Sequence, residues 1–274
     1  MLDTLAVATV QLTSTRDVDA NLRRSTDWVR RAAGAGARLI ALPENFGFLG
    51  PDHEKLAHAQ PVADGRFLTD LRRLAAELDV WILAGSIPEL GPDAAHTYNT
   101  TVLIAPGGAT AATYRKIHLF DVALADGTEL RESDSVAAGD TPVVTQIDGW
   151  RLGLSICYDL RFPELYRALA AQGAELLTVP AAFTLHTGKD HWEVLLRARA
   201  IENQCFVVAP GQFGRHGGNR VSWGKSQIID PWGVPLAIAP EREGFALAIL
   251  ARADLAAARS QVPCLQHRRL ALDS

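Results

Sequence analysis

An α/β fold with two mixed sheets and helices outside them is what this chain predicts, on three observations. Short apolar runs alternate with helical periodicity through the first third of the sequence. The same alternation returns after residue 150, and the last fifty or so residues turn β-rich. The 274 residues, 48% of them hydrophobic, suffice for one large core. No linker, repeat or low-complexity stretch divides them, so residues 1–274 read as a single domain.

The elements follow from local signals. Residues 5–12 read as the first strand. Asp17 is placed to cap a helix running to about residue 33, with Gly34 or Gly36 to end it. A strand over 38–43 stops at Pro43-Glu44-Asn45, a helix covers about 67–78, and a strand follows over 80–86. Strands 98–105 and 111–114 flank the turn Pro106-Gly107-Gly108. Residues 121–140 show no periodicity, which in a compact fold suggests a functional loop. Strands over 143–147 and 152–156 pair around Asp148-Gly149. Pro163 and Glu164 open a helix over 164–171. A strand over 175–180, a helix over 191–203 and a strand over 205–209 come next. Strands at 225–230, 235–238 and 245–250, a helix over 253–260 and a tail complete the chain.

Composition narrows the function. A net charge of −4 with no long basic run argues against nucleic acid and anionic membrane as partners. Three cysteines, at 157, 205 and 264, form no CxxC pair and leave one over, which suits free thiols in a reducing compartment. No apolar run reaches the length of a membrane span and no signal segment opens the chain, so a soluble, cytoplasmic protein is expected. His186 and His191 are too far apart to share a helical face as metal ligands. Gly107-Gly108 and Gly217-Gly218 lack the context of a phosphate loop. Neither a metal nor another cofactor is therefore expected.

The richest stretch is Leu152 to Leu165. Cys157 ends an apolar strand and precedes a helix, on a sharp turn that surrounds its thiol with free backbone N–H groups. A nucleophile that must form an oxyanion suits that place, although a lone cysteine is as often a small apolar core residue. An ordinary thiol is mostly protonated at neutral pH and needs a base or a positive neighbour. His118, His186 and His191 are one set of candidates. Glu44 with Lys116 is another, because both lie just beyond strand ends and amid apolar or aromatic neighbours.

The blocks Leu42-Pro43-Glu44, Tyr114-Arg115-Lys116 and Cys157 through Glu164 resemble the nitrilase superfamily of carbon–nitrogen hydrolases. The resemblance covers residues 5–269. It implies that Glu44, Lys116 and Cys157 form a catalytic triad, with Glu132 a fourth member that positions the lysine and substrate. Residues 180–184, 191–202, 230–233 and 266–269 are similar to its deaminated-glutathione amidase branch, whose neighbours are ω-amidases. Ala181 and Trp223 depart from the branch pattern, which usually has serine and tyrosine there.

The resemblance further implies a four-layer α-β-β-α sandwich that stacks on a second copy as a homodimer or higher homo-oligomer. The tail, about 261–274, would reach the partner. The implied reaction is thiol hydrolysis of a small-molecule amide, with the Tyr158 N–H helping Lys116 hold the oxyanion. Arg161 would grip a substrate carboxylate, unless it pairs with Asp159 or Glu164. Phe183 and Thr187 would wall the pocket, with core packing the alternative for Phe183. Cys205 reads as core and Cys264 as an interface residue. An ω-amidase, a general aliphatic amidase or nitrilase, and a non-catalytic scaffold are the rival readings; the intact quartet of side chains speaks against the last.

Overall fold

The computed structural model describes residues 2–123 and 129–270. Its first half runs β1 (Thr4–Gln11), α1 (Val18–Gly34), β2 (Leu39–Ala41), α2 (Arg66–Leu78) and β3 (Trp81–Leu90). Asp17 caps α1 as expected, its carboxylate accepting the Ala20 N–H at 2.9 Å. β2 lies parallel between β1 and β3, and β3 turns back through the antiparallel strands β4 (Thr97–Ile104) and β5 (Thr110–Arg115).

The stretch 121–140 is less irregular than its composition suggests. It carries the antiparallel pair β6 (Asp121–Ala123) and β7 (Glu129–Arg131), a 3-10 turn at Glu132–Asp134, and β8 (Val136–Ala137) beside β4. Three-residue strands are too short to show a period. Residues 124–128 of the expected functional loop lie outside the described residues.

The second half runs β9 (Val144–Ile147), β10 (Trp150–Leu154), α3 (Pro163–Ala171), β11 (Leu176–Thr178), α4 (Leu185–Asn203) and β12 (Phe206–Ala209). A hairpin of β13 (Phe213–Arg215) and β14 (Val221–Trp223) precedes β15 (Gln227–Ile229) and β16 (Pro235–Ile238). The chain then returns to the first sheet as β17 (Gly244–Ala251) and closes with α5 (Arg252–Gln261). α4 starts at Leu185 rather than residue 191. Its first turns pack a glycine, Gly188, against Trp223 and offer no apolar stripe to read.

Among the described residues the strands form two principal sheets. One has the order β17-β1-β2-β3-β4-β5 with β8 beside β4; the other is β16-β15-β12-β11-β10-β9. Alternation along each strand builds the layers. Leu5, Val7, Leu39, Ala41 and Leu83 join Leu152, Leu154, Leu176 and Phe206 in one buried cluster between the sheets. Ala8, Val10, Ile40 and Ile82 face the other way and pack with Leu22, Val29, Leu68 and Leu71 of α1 and α2. α3 and α4 cover the second sheet, and a Cβ at Gly153 of β10 would press on Leu169 of α3 at 3.2 Å. The result is the α-β-β-α order of layers.

Candidate active site

Glu44, Lys116 and Cys157 all leave the ends of sheet strands and meet where the two sheets adjoin. Glu44 follows β2, and its approach depends on β3. The β3–β4 register shifts between Ala84 and Ile87, and a Cβ at Gly85 would stand 2.0 Å from the Leu42 carbonyl oxygen. Only a bare backbone lets the chain carrying Glu44 lie that close. Asn45, at φ 56, is then fixed by its N–H donating to Ser86 Oγ at 3.0 Å.

Glu44 is 3% exposed, and both its carboxylate oxygens are engaged. Oε1 accepts from Lys116 Nζ at 3.1 Å and from Asn99 Nδ2 at 2.9 Å, and Oε2 accepts the Ala182 N–H at 2.8 Å. Lys116, 2% exposed, also donates to Glu132 Oε2 at 2.8 Å. Glu132 opens the 3-10 turn after β7, and its Oε2 takes the Phe120 N–H at 2.8 Å. Asn99 of β4 reaches Glu132 Oε1 at 3.1 Å as well as Glu44, so one amide ties the two carboxylates.

Cys157 begins a turn of 3-10 helix, Cys157–Arg161, and holds φ 47, a conformation that costs a non-glycine residue. Its N–H is spent on the Pro180 carbonyl at 2.9 Å. The Tyr158 N–H stands in the first turn, where no acceptor exists within the helix. Asp159, wholly buried, fastens this elbow to the lysine strand. Its Oδ2 accepts the Ile156 N–H at 2.8 Å and the Tyr114 hydroxyl at 2.7 Å, and its Oδ1 accepts the His118 N–H at 3.1 Å.

The charges explain the resting state. Burial works against a charge on Lys116, yet Glu132, Glu44 and Cys157 together hold its pKa well above the ordinary value. Burial likewise works against a charged Glu132, and the cations Lys116 and Lys55 outweigh it, holding this carboxyl below its usual range. Burial pushes the Cys157 thiol well up, Glu44 adds to the rise, and Lys116 opposes it. The thiol is therefore protonated at rest, with the Glu44 carboxylate as its neighbour.

A pocket opens over these groups, lined among others by Lys55, Phe120, Tyr158, Arg161, Phe183 and Arg220. Arg161 meets no carboxylate at salt-bridge distance among the described residues. It lies beside His191 Nδ1 at 3.1 Å and over the Phe183 ring at 5.0 Å, so the expected alternative of a pair with Asp159 or Glu164 is not what forms. Phe183 is both wall and core, its ring 5.1 Å from that of Trp192. Thr187 lines the pocket and shares a hydrogen bond with Thr184 at 2.9 Å. Cys205 is core, 0% exposed, and Trp223 packs on Gly188 rather than on the pocket.

Of the histidines weighed as bases, His118 is bound to Asp159 Oδ1 at 2.7 Å and His191 to Arg161. Sequence reasoning missed Asn99, Lys55 and Arg220, and gave Asp159 only an ion-pair role. Asn99 had a weak signal, an amide inside an otherwise buried strand.

The carbon–nitrogen hydrolase family model matches residues 6–260. The chain belongs to that family. A relative from Synechocystis sp. (strain PCC 6803 / GT-S), named deaminated glutathione amidase, is 49% identical over 266 residues, covering 95% of this chain and 97% of its own. One of the same name from Homo sapiens is 44% identical, covering 96% and 82%. Among solved structures, Saccharomyces cerevisiae Nit3, a member of branch 10 of the nitrilase superfamily, superposes with a TM-score of 0.89 at 30% identity, covering 98% and 97%. A glutamate-to-glutamine mutant of the amidase from Nesterenkonia sp. AN1 superposes at 0.78, also at 30% identity, covering 97% of each chain. It carries the acetamide moiety of fluoroacetamide covalently on its active site cysteine. The nitrilase-type sandwich and an activity that hydrolyses amides follow from membership. No helix among the described residues is long and apolar enough to cross a membrane.

Proposed function

We propose that this protein is a thiol amidase that hydrolyses the amide of deaminated glutathione to α-ketoglutarate and cysteinylglycine. The observation that carries the reading is the Cys157 elbow facing Glu44 and Lys116 in one pocket with Arg161. Glu44 takes the thiol proton as Sγ attacks the amide carbon, and the carbonyl π electrons move to oxygen. Lys116 Nζ and the Tyr158 N–H donate to that oxyanion, one such donor being worth about 3–4 kcal/mol. The oxyanion collapses, the C–N bond breaks, and Glu44 returns the proton to the leaving nitrogen. Water, deprotonated by Glu44, then attacks the thioester carbon. The acid departs and Cys157 regains its proton.

Arg161 is suited to the keto acid's carboxylate, since a guanidinium pairs with it through two parallel N–H bonds. Phe183 closes one wall, and Thr187 offers a hydroxyl. Glu132 and Asn99 hold Lys116 and Glu44 in register without touching the reacting carbon. The names of the Synechocystis and Homo sapiens relatives support this substrate. The single domain belongs to the same proposal, as does a homodimer of stacked sandwiches with the tail crossing to the partner. The last four residues of that tail, 271–274, lie outside the described residues.

The test is release of α-ketoglutarate from deaminated glutathione and, in parallel, from α-ketoglutaramate. Wild type should show the higher kcat/KM on deaminated glutathione. Cys157→Ala should lose activity by about 10⁴-fold or more with its fold intact. A preference for α-ketoglutaramate would keep the thiol chemistry and make the enzyme an ω-amidase. Full activity in Cys157→Ala would overturn the nucleophile.

A further inference from the structure

The active-site pocket has a neighbour. A second cavity shares Leu130 and Arg220 with it as common walls. Arg161, Phe183 and Thr187 line the first pocket and not the second. The second cavity is bounded instead by Leu49, Gly50 and Pro51 and by the turn 216–219, which joins β13 to β14.

That turn is firmly anchored and open at its tip. The His216 N–H donates to the Arg220 carbonyl at 3.1 Å, and His216 Nδ1 reaches the Ser14 carbonyl at 2.8 Å. A carbonyl only accepts, so Nδ1 carries the proton and Nε2 is left as an acceptor. His216 is 2% exposed, and its Nε2 has no hydrogen-bond partner among the described residues. Gly217 and Gly218 hold φ of 105 and 55, and a Cβ added to either would meet nothing within 4 Å. Bare backbone therefore faces open space at this tip.

From these features we infer that the second cavity is the subsite for the amine half of the substrate, a short peptide ending in a carboxylate. The inference rests on the amidase reading above. With the keto acid held at Arg161 and the amide carbon at Cys157, the nitrogen substituent points away from the keto acid, and the second cavity lies next to the first across Leu130 and Arg220. Arg220 lines both cavities, and a guanidinium is a group that suits a peptide carboxylate. The unhindered backbone of Gly217 and Gly218 lets a peptide lie close.

The experiment compares Asn219→Trp with wild type. Asn219 is an exposed residue on the second cavity's wall, where a bulky ring fills space without disturbing the core. The ratio of kcat/KM for deaminated glutathione to that for α-ketoglutaramate should fall at least about tenfold, chiefly through KM of the former. An unchanged ratio would overturn the subsite. A second measurement is independent of turnover: calorimetric titration of cysteinylglycine into Cys157→Ala and into Cys157→Ala/Asn219→Trp. Binding to the first that is lost in the second supports the subsite even if the enzyme proves to be an ω-amidase. No binding to either, or equal binding to both, removes it while leaving the amidase chemistry standing.

Discussion

Glu44 carries two duties that pull on the same atoms, since it must take a proton from Cys157 while salt-bridged to Lys116. The structure resolves this by giving each carboxylate oxygen its own set of donors. Glu44→Gln cannot keep both sets, because its amide nitrogen must turn toward a donor, Lys116 and Asn99 on one side or the Ala182 N–H on the other. Turnover of the amide should fall by about 10²–10⁴-fold. Cys157 should still be alkylated by iodoacetamide, as mass spectrometry will show; normal steady-state kinetics would return the base role to a histidine. Asn99 acts through Glu44 and Glu132 rather than on substrate. Asn99→Ala should lower kcat about tenfold or more with KM little changed, while Asn99→Gln restores part of the loss. His216 gives a pH signature. Burial lowers its pKa to about 4, so between there and its ordinary value of 6.5 the unfolded chain binds the extra proton. Stability from this residue is complete above pH 6.5 and drains away as pH falls toward 4, by about 2–3 kcal/mol at pH 4.5. Denaturant unfolding of wild type and His216→Gln at pH 7 and 4.5 should show the variant losing less.

The elements explain why the quartet is so exact in its placement and why parts of it escape a reading of the sequence. Gly85 sits where β3 breaks register, and the gap it leaves is filled by the carbonyls of Leu42 and Pro43. Gly85→Ala would push β2's exit outward and take Glu44 with it. Stability should drop by about 1–3 kcal/mol and kcat should fall with it, which thermal unfolding and kinetics on one preparation can show. That glycine is visible in the sequence only as a glycine within a strand. The longer elements were legible because capping and period are local: Asp17 before α1, and Pro163 at the first position of α3. The positions of Glu44, Lys116 and Cys157 at strand ends were legible for the same reason. The hairpin of β13 and β14 was not, since three-residue strands carry no alternation. Lys55 and Arg220 read as ordinary surface charges until the fold turns them toward one pocket.

At the scale of the whole molecule the site exists only because two sheets pack. Glu44, Asn99, Lys116 and Glu132 come from the first sheet and its extensions, whereas Cys157 and Ala182 come from the second. Opening the interface between the sheets would separate thiol from base. The outer layer then bears on assembly. Val194 and Ile201, seven residues apart on the outer face of α4, are 66% and 49% exposed, and Trp232 is 53% exposed. Arg197 binds the Gly233 carbonyl at 2.8 Å, which holds the turn bearing Trp232 against the same helix. A cluster of this kind is a poor surface for a monomer and a good one for a second copy. Light scattering of wild type at micromolar concentration should therefore give the mass of a dimer or a larger even assembly. Val194→Glu/Ile201→Glu places two like charges on that face and should raise the dissociation constant at least about tenfold. A monomeric wild type would overturn the stacked dimer. A variant that stays assembled would move the interface to another face of the sandwich.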